Sequence, residues 1–212
     1  MAEDAFQLVG GDPALDFLNT IHDWTVEDPR DHLPDFAAVL RFGEAAGVVS
    51  RAESRRMAAA AGSGEMRRLR ELRARLERIF RAAVEGRSPA AADLEAIDRE
   101  AAEAARWTRL RAPRGGVERG VDVDAAGAAT LRARIVEAAV VLLTSPRMAR
   151  VKACPSCGWF FLDTSKNRSR RWCSMEMCGT SAKARAYYWR TRERAVRSPG
   201  ARGSRRARDG GA

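Results

Sequence analysis

Cys154-Pro155-Ser156-Cys157-Gly158-Trp159-Phe160-Phe161 and, fifteen residues beyond the first cysteine pair, Cys173-Ser174-Met175-Glu176-Met177-Cys178-Gly179 decide how the C-terminal part of this chain folds. The four cysteines are the whole complement of the 212 residues, spaced Cys-x2-Cys-x15-Cys-x4-Cys. Two close pairs joined by such a loop are what one tetrahedral ion needs, because each pair makes a tight corner and the loop folds the corners together. The pattern reads as one structural Zn2+ held by Cys154, Cys157, Cys173 and Cys178. Two disulfides, a redox Cys-x-x-Cys and an iron–sulfur cluster are the alternatives. His22 and His32 are remote in sequence and are read as ordinary polar residues.

Around the cysteines the reading is knuckle, short strand, turn and helix. Pro155 and Gly158 let the backbone turn tightly. Trp159, Phe160 and Phe161 supply apolar side chains to a module too small to bury much surface by itself. Asp163 to Asn167 is turn-forming, Arg170-Arg171-Trp172 leads back to Cys173, and a helix is expected from Ser181 to Arg197. The second pair at the entrance of a helix makes the module treble-clef-like. Metal binding then supplies much of its folding free energy, about 10–16 kcal/mol apparent for structural zinc in small fingers.

Upstream, the chain reads as helical. Asp12-Pro13 opens a segment with Leu15, Phe17, Leu18 and Ile21 at helical spacing. Asp35–Ala46 is a second helix, and Ser50 with Glu53 is a capping box for a third. Residues 65–85 carry Met66, Leu69, Leu72, Leu76, Ile79 and Phe80 at three- and four-residue intervals, with the arginines read as a solvated face. Ser88-Pro89 is read as a cap and first-turn proline for a helix reaching Ala105. Alternation around Trp107–Arg111 and Val117–Val123, with a Pro113–Gly116 turn between, predicts a β-hairpin. Asp124 is expected to cap a last helix to Thr144 that buries Leu131, Ile135, Ala138, Val141 and Leu142. The expected architecture is mainly α with a small β-hairpin: a helical domain over 1–150, a treble-clef-like zinc finger over 151–197, and a disordered basic tail over 198–212.

Charge divides at the same place. Residues 1–150 hold 23 Lys+Arg against 24 Asp+Glu, whereas residues 151–212 hold 15 against 4, so the excess behind the net +10 lies wholly in the C-terminal part. A near-neutral body with a basic end points to a polyanionic partner. Lys166, Arg168, Arg170 and Arg171 in and after the inter-pair loop, and Lys183, Arg190, Arg194 and Arg197 on the helix, are the candidate nucleic-acid contacts. The longest apolar run, Ala138–Leu143, is far short of the ~18 residues of a membrane span. The acidic N-terminal residues have no secretory character, so a cytoplasmic protein is expected.

The residues Cys154-x2-Cys157-Gly158-Trp159-x-Phe161-x-Asp163-x-Ser165-Lys166-Asn167-x3-Arg171-Trp172-Cys173-Ser174-Met175-x2-Cys178-Gly179 resemble the CGNR zinc finger of bacteria. Pro13-Ala14-Leu15-Asp16-Phe17-Leu18-Asn19-Thr20 is similar to the opening motif of its usual companion, the ABATE domain, a family of stress-response transcription regulators. The resemblance implies a cytoplasmic zinc protein with a helical N-terminal domain and a DNA-binding end. It also exposes a departure: Gly179-Thr180-Ser181 stands where the finger family has Gly-Asn-Arg. Gly179 is kept for the backbone, and Thr180 or Ser181 is expected to cap the following helix through its hydroxyl.

Together these readings make the chain a transcription regulator that touches DNA through a basic zinc finger. A zinc-stabilised protein-interaction adaptor and an RNA-binding accessory protein are the other classes. Four cysteines fill four coordination positions and no Gly-rich phosphate loop, H-E-x-x-H or G-x-S-x-G motif is present, so no enzyme is expected. Asp16, Asn19, Thr20 and His22 share a stretch that either lines a pocket for a small-molecule effector or makes caps and inter-helix hydrogen bonds. Homodimerisation through the helical domain is a further expectation.

Overall fold

The computed structural model describes residues 6–60, 63–112, 115–181, 183, 184, 187, 188 and 192. Helix α1 (Pro13–Leu18) starts where Asp12, extended at φ −156°, accepts the Ala14 N–H and Pro13 takes a first-turn position that needs no donor. Helix α2 (Phe36–Ala45) is capped by Asp35, and α3 (Arg51–Ala59) by the Ser50–Glu53 box, with both of its hydrogen bonds formed. Helix α4 (Ser63–Val84) and α5 (Ala91–Trp107) pack side by side. Strands β1 (Thr108–Arg111) and β2 (Glu118–Val121) pair antiparallel, with Thr108 opposite Val121. Helices α6 (Val123–Ala126) and α7 (Thr130–Thr144) follow. Strands β3 (Val151–Ala153) and β4 (Phe160–Leu162) form a second antiparallel pair with Val151 opposite Leu162. The protein is thus mainly α with two small sheets.

Four local expectations are corrected. The chain runs extended through Pro89 and Ala90, so α5 begins at Ala91 without a side-chain cap. Asp93 in its first turn pairs instead with Arg75 and Arg78 of α4. Asp122, not Asp124, caps the segment before α7, which is broken at Gly127, φ +54°. On α7 the buried side is Leu131, Ala133, Ile135, Val136, Ala139 and Leu142, while Val141 is exposed. The apolar run 138–143 is apolar on every side, so its periodicity did not mark the inward face. Finally, the arginines of α4 are only partly a solvated face: Arg67, Arg70 and Arg78 are exposed, but Arg68 pairs with Glu100 and Glu103, buried Arg73 with Asp31, and Arg81 with Glu77.

One residue stands out in this network. Arg132 on α7, 1% exposed, is held by Glu65, Glu100 and Glu103. The acids arrive from two other helices, so α7 is tied to α4 and α5 by charge as well as by apolar contact. A buried guanidinium is tolerated only when so paired.

The finger is not a separate bead. Val151, Phe160 and Leu162 of its strands belong to the same apolar cluster as Leu15, Phe17, Phe42, Leu76, Phe80 and Ile135. The Phe80 and Phe160 rings lie 6.1 Å apart. Each fully buried Phe contributes about 1.5–3 kcal/mol of apolar burial. Loop 22–25 reaches the knuckle, where the Trp24 amide donates to the Cys157 carbonyl at 3.0 Å. Among the described residues no helix is long and apolar enough to cross a membrane.

Candidate metal centre and basic surface

The knuckle owes its shape to backbone turning. Gly158 has φ +73°, and a Cβ there would fall 2.9 Å from Trp24 Cβ, so both the left-handed conformation and the close approach of loop 22–25 select glycine. The Gly158 amide donates to the Cys154 carbonyl at 2.9 Å and the Cys154 amide to the Trp159 carbonyl at 2.7 Å, closing the first corner. The second corner is a π-helical turn over Met175–Gly179, capped by the Ser174 side chain accepting from Met177 N–H. The described residues 180, 181, 183, 184, 187, 188 and 192 are helical.

These corners bring Cys154, Cys157, Cys173 and Cys178 together, with all four sulfurs within 4.8 Å of one another. Three Sγ–Sγ separations, Cys157–Cys173, Cys173–Cys178 and Cys178–Cys157, are each 3.6 Å. A tetrahedron with Zn–S bonds of about 2.3 Å has sulfur–sulfur edges of about 3.8 Å, so the donor set fits one ion. No disulfide is formed. Backbone N–H groups of Ser156 and Cys173 point at Cys154 Sγ, and that of Trp159 at Cys157 Sγ. These donors favour thiolate sulfur, the form that ligates metal. Zinc here is structural: four thiolates leave no open position.

The loop between the pairs is ordered by a group whose role the sequence reading missed. Asp163, fully buried, accepts from the Ser165 amide and hydroxyl and from Lys152 Nζ at 2.6 Å. The Lys152 ammonium, foremost, holds its carboxyl well below the usual carboxylate range. Lys152 also donates to the carbonyls of Arg168 and Arg170, and Arg168 takes φ +52°. The alternation Val151-Lys152-Ala153 put Lys152 on the outer face of β3, a signal that could have placed it over the loop.

The predicted basic contacts separate into three groups. Lys166, Arg168, Arg171 and Lys183 are exposed. Arg170 is turned inward: its guanidinium donates to the carbonyls of Val9, Leu162, Trp172 and Cys173 and lies over the Phe161 ring at 4.5 Å. Arg190, Arg194 and Arg197, with the tail 198–212, lie outside the described residues. Thr180 and Ser181 do not act as the expected caps. Their hydroxyls donate backwards, to the carbonyls of Met175 and Met177, and both side chains are exposed.

Asp16, Asn19, Thr20 and His22 do come together, on the wall of one cavity of about 250 Å³. Asn19 and Thr20 are already committed. The Asn19 amide is bound to the Phe160 backbone, and the Thr20 hydroxyl donates to Phe17 O and accepts from Arg73. Burial pushes the Asp16 carboxyl up to about 6, with the Asp12 charge adding and the Gly10 amide opposing. Sequence reading missed that the finger's Trp159 and Met177 close this cavity.

A helical body carrying a treble-clef-like finger with an all-cysteine site defines a two-part zinc-finger protein. The chain belongs to the ABATE family, described as a putative stress-induced transcription regulator, whose profile matches residues 11–146. The CGNR zinc finger profile matches residues 150–191. No curated protein matches the chain.

Proposed function

We propose that the protein is a cytoplasmic transcription regulator that contacts DNA phosphates through Lys166, Arg168, Arg171 and Lys183, and that it is not an enzyme. One observation carries the reading. In the body, Arg68, Arg73, Arg78, Arg81, Arg132 and Arg134 pair with acids, and the exposed Arg41, Arg55, Arg67 and Arg99 are spread one each over α2, α3, α4 and α5. Lys166, Arg168, Arg171 and Lys183, on a module rigidified by metal and by the Asp163–Lys152 pair, make no ion pair among the described residues. Arg171 lies 5.1 Å over the Trp172 ring, a stacked arrangement that also suits a sugar or base. Arg170 is left out, because its donors are committed to the finger's own carbonyls. The experiment is selection of duplexes from a random pool by the zinc-loaded full chain at near-physiological salt. An enriched motif supports the regulator. Retention of RNA in preference to DNA, or of neither, favours the RNA-binding or adaptor reading.

A further inference from the structure

We propose that the cavity between α1 and the finger is a binding site for a single-ring aromatic alcohol, whose hydroxyl donates to Asp16 while its ring lies among Phe6, Phe42, Trp159 and Met177. Size sets the first limit. An apolar cavity of about 150 Å³ takes benzene, so about 250 Å³ accommodates roughly ten heavy atoms. Wall chemistry sets the second. Phe6 and Phe42 meet edge to face at 5.5 Å, and with the Trp159 ring and the Met177 thioether they favour an aromatic guest.

Hydrogen-bond capacity sets the third. Asn19, Thr20 and the Trp159 indole N–H are already engaged by Phe160, by Phe17 and Arg73, and by the Ile21 carbonyl at 2.6 Å. Asp16 spends only Oδ1, on the Gly10 amide at 2.8 Å, and its other oxygen has no hydrogen bond among the described residues. That oxygen calls for a donor such as a hydroxyl, and His22, Arg30 and His32 complete the polar side of the wall. Because the guest touches Asp16 on the body and Met177 beside Cys178 of the finger, its binding clamps the two together. This site stands independently of the nucleic-acid reading.

The test is calorimetric titration of the zinc-loaded full chain with phenol and catechol, with toluene as the comparator. Saturable one-to-one binding is expected for the two alcohols, with toluene at least tenfold weaker. Leu8→Trp places an indole from a partly exposed wall position into the cavity and should abolish the heat. Asp16→Asn keeps an oxygen for Gly10 and should weaken phenol about tenfold with zinc content and circular dichroism unchanged. Hydrogen exchange should slow under catechol at residues 157–161 and 175–179. Equal affinity for toluene and phenol, indifference to Leu8→Trp, or absence of binding by both alcohols at millimolar concentration would overturn the proposal. Protection confined to residues 6–42 would overturn the clamp.

Discussion

Asn19 and Phe160, 141 positions apart, exchange two hydrogen bonds: the Asn19 side-chain amide donates to the Phe160 carbonyl and accepts from the Phe160 amide, each at 2.9 Å. One side chain at the C-terminal cap of the first helix thereby pairs with the finger's strand β4 as a neighbouring strand would. Both partners are buried, so each group would otherwise be desolvated without compensation. Asn19→Ala should cost about 2–4 kcal/mol in chemical denaturation, and Asn19→Asp should cost at least as much, because a carboxylate cannot donate to the carbonyl. A loss below ~1 kcal/mol for Asn19→Ala would mean that water replaces the amide.

The shared core bears on how far the body stands alone. Residues 1–150 have a large apolar cluster of their own, which motivates the expectation of an autonomous domain. Phe160 and Leu162 nonetheless fill its side nearest α1 and α4. Stripping the metal with a chelator should therefore lower the melting temperature of the helical signal as well as unfold the finger. An unchanged helical transition after complete zinc loss would show the body to be autonomous.

Arg132 should be among the costliest positions to truncate. Arg132→Ala leaves Glu65, Glu100 and Glu103 clustered without their central cation, and breaking such a buried network costs about 3–5 kcal/mol. Denaturant unfolding measures it. Arg132→Met with Glu100→Gln should recover part of the loss, since fewer uncompensated charges remain.

Asp16 gives stability a definite pH signature. Its carboxyl rises from an ordinary 3.8 to about 6 in the fold, so the folded state holds the proton more tightly than the unfolded chain. This group's contribution therefore grows as pH falls from about 7 towards 4 and is least favourable above about pH 7. Asp16→Asn should compare better with the parent at pH 8 than at pH 5 in thermal melts. The opposite trend would mean that the carboxylate is stabilised, not penalised, where it lies.

The finger was the most legible part of the chain, and the reasons are chemical. Cysteine spacing reports metal geometry directly, and Asp12, Asp35, Ser50 and Glu53 announce helix starts through local hydrogen bonds that need no distant partner. What stayed hidden depends on long-range contact. Nothing local distinguishes Arg170, folded onto Phe161 and four carbonyls, from Arg171, which faces solvent. Arg132 looks like any helical arginine until three glutamates from α4 and α5 surround it. Asp16, Asn19, Thr20 and His22 lie within seven residues and so share a cavity wall through local geometry, whereas Trp159 and Met177 reach the same cavity only through the docking of the finger.

The Gly179-Thr180-Ser181 departure is open to a direct trial. Residues 180 and 181 are exposed and their hydroxyls serve only carbonyls of the preceding turn. Thr180→Asn with Ser181→Arg should leave zinc affinity nearly unchanged and tighten duplex binding by about 1 kcal/mol, one charge-assisted hydrogen bond. A large gain in zinc affinity without any gain in duplex binding would assign that arginine to the fold.

The salt dependence of duplex binding, measured by fluorescence anisotropy on the zinc-loaded full chain and on the triple variant Lys166→Glu, Arg168→Glu, Arg171→Glu, tests the central claim most directly. Contact by the four exposed finger cations predicts a logarithmic slope of about −3 to −4 for the parent, at roughly −0.9 per phosphate neutralised. The variant should bind at least tenfold more weakly at the same salt, with a slope shallower by about three and unchanged zinc content. Equal affinity and equal slope for parent and variant would contradict the account.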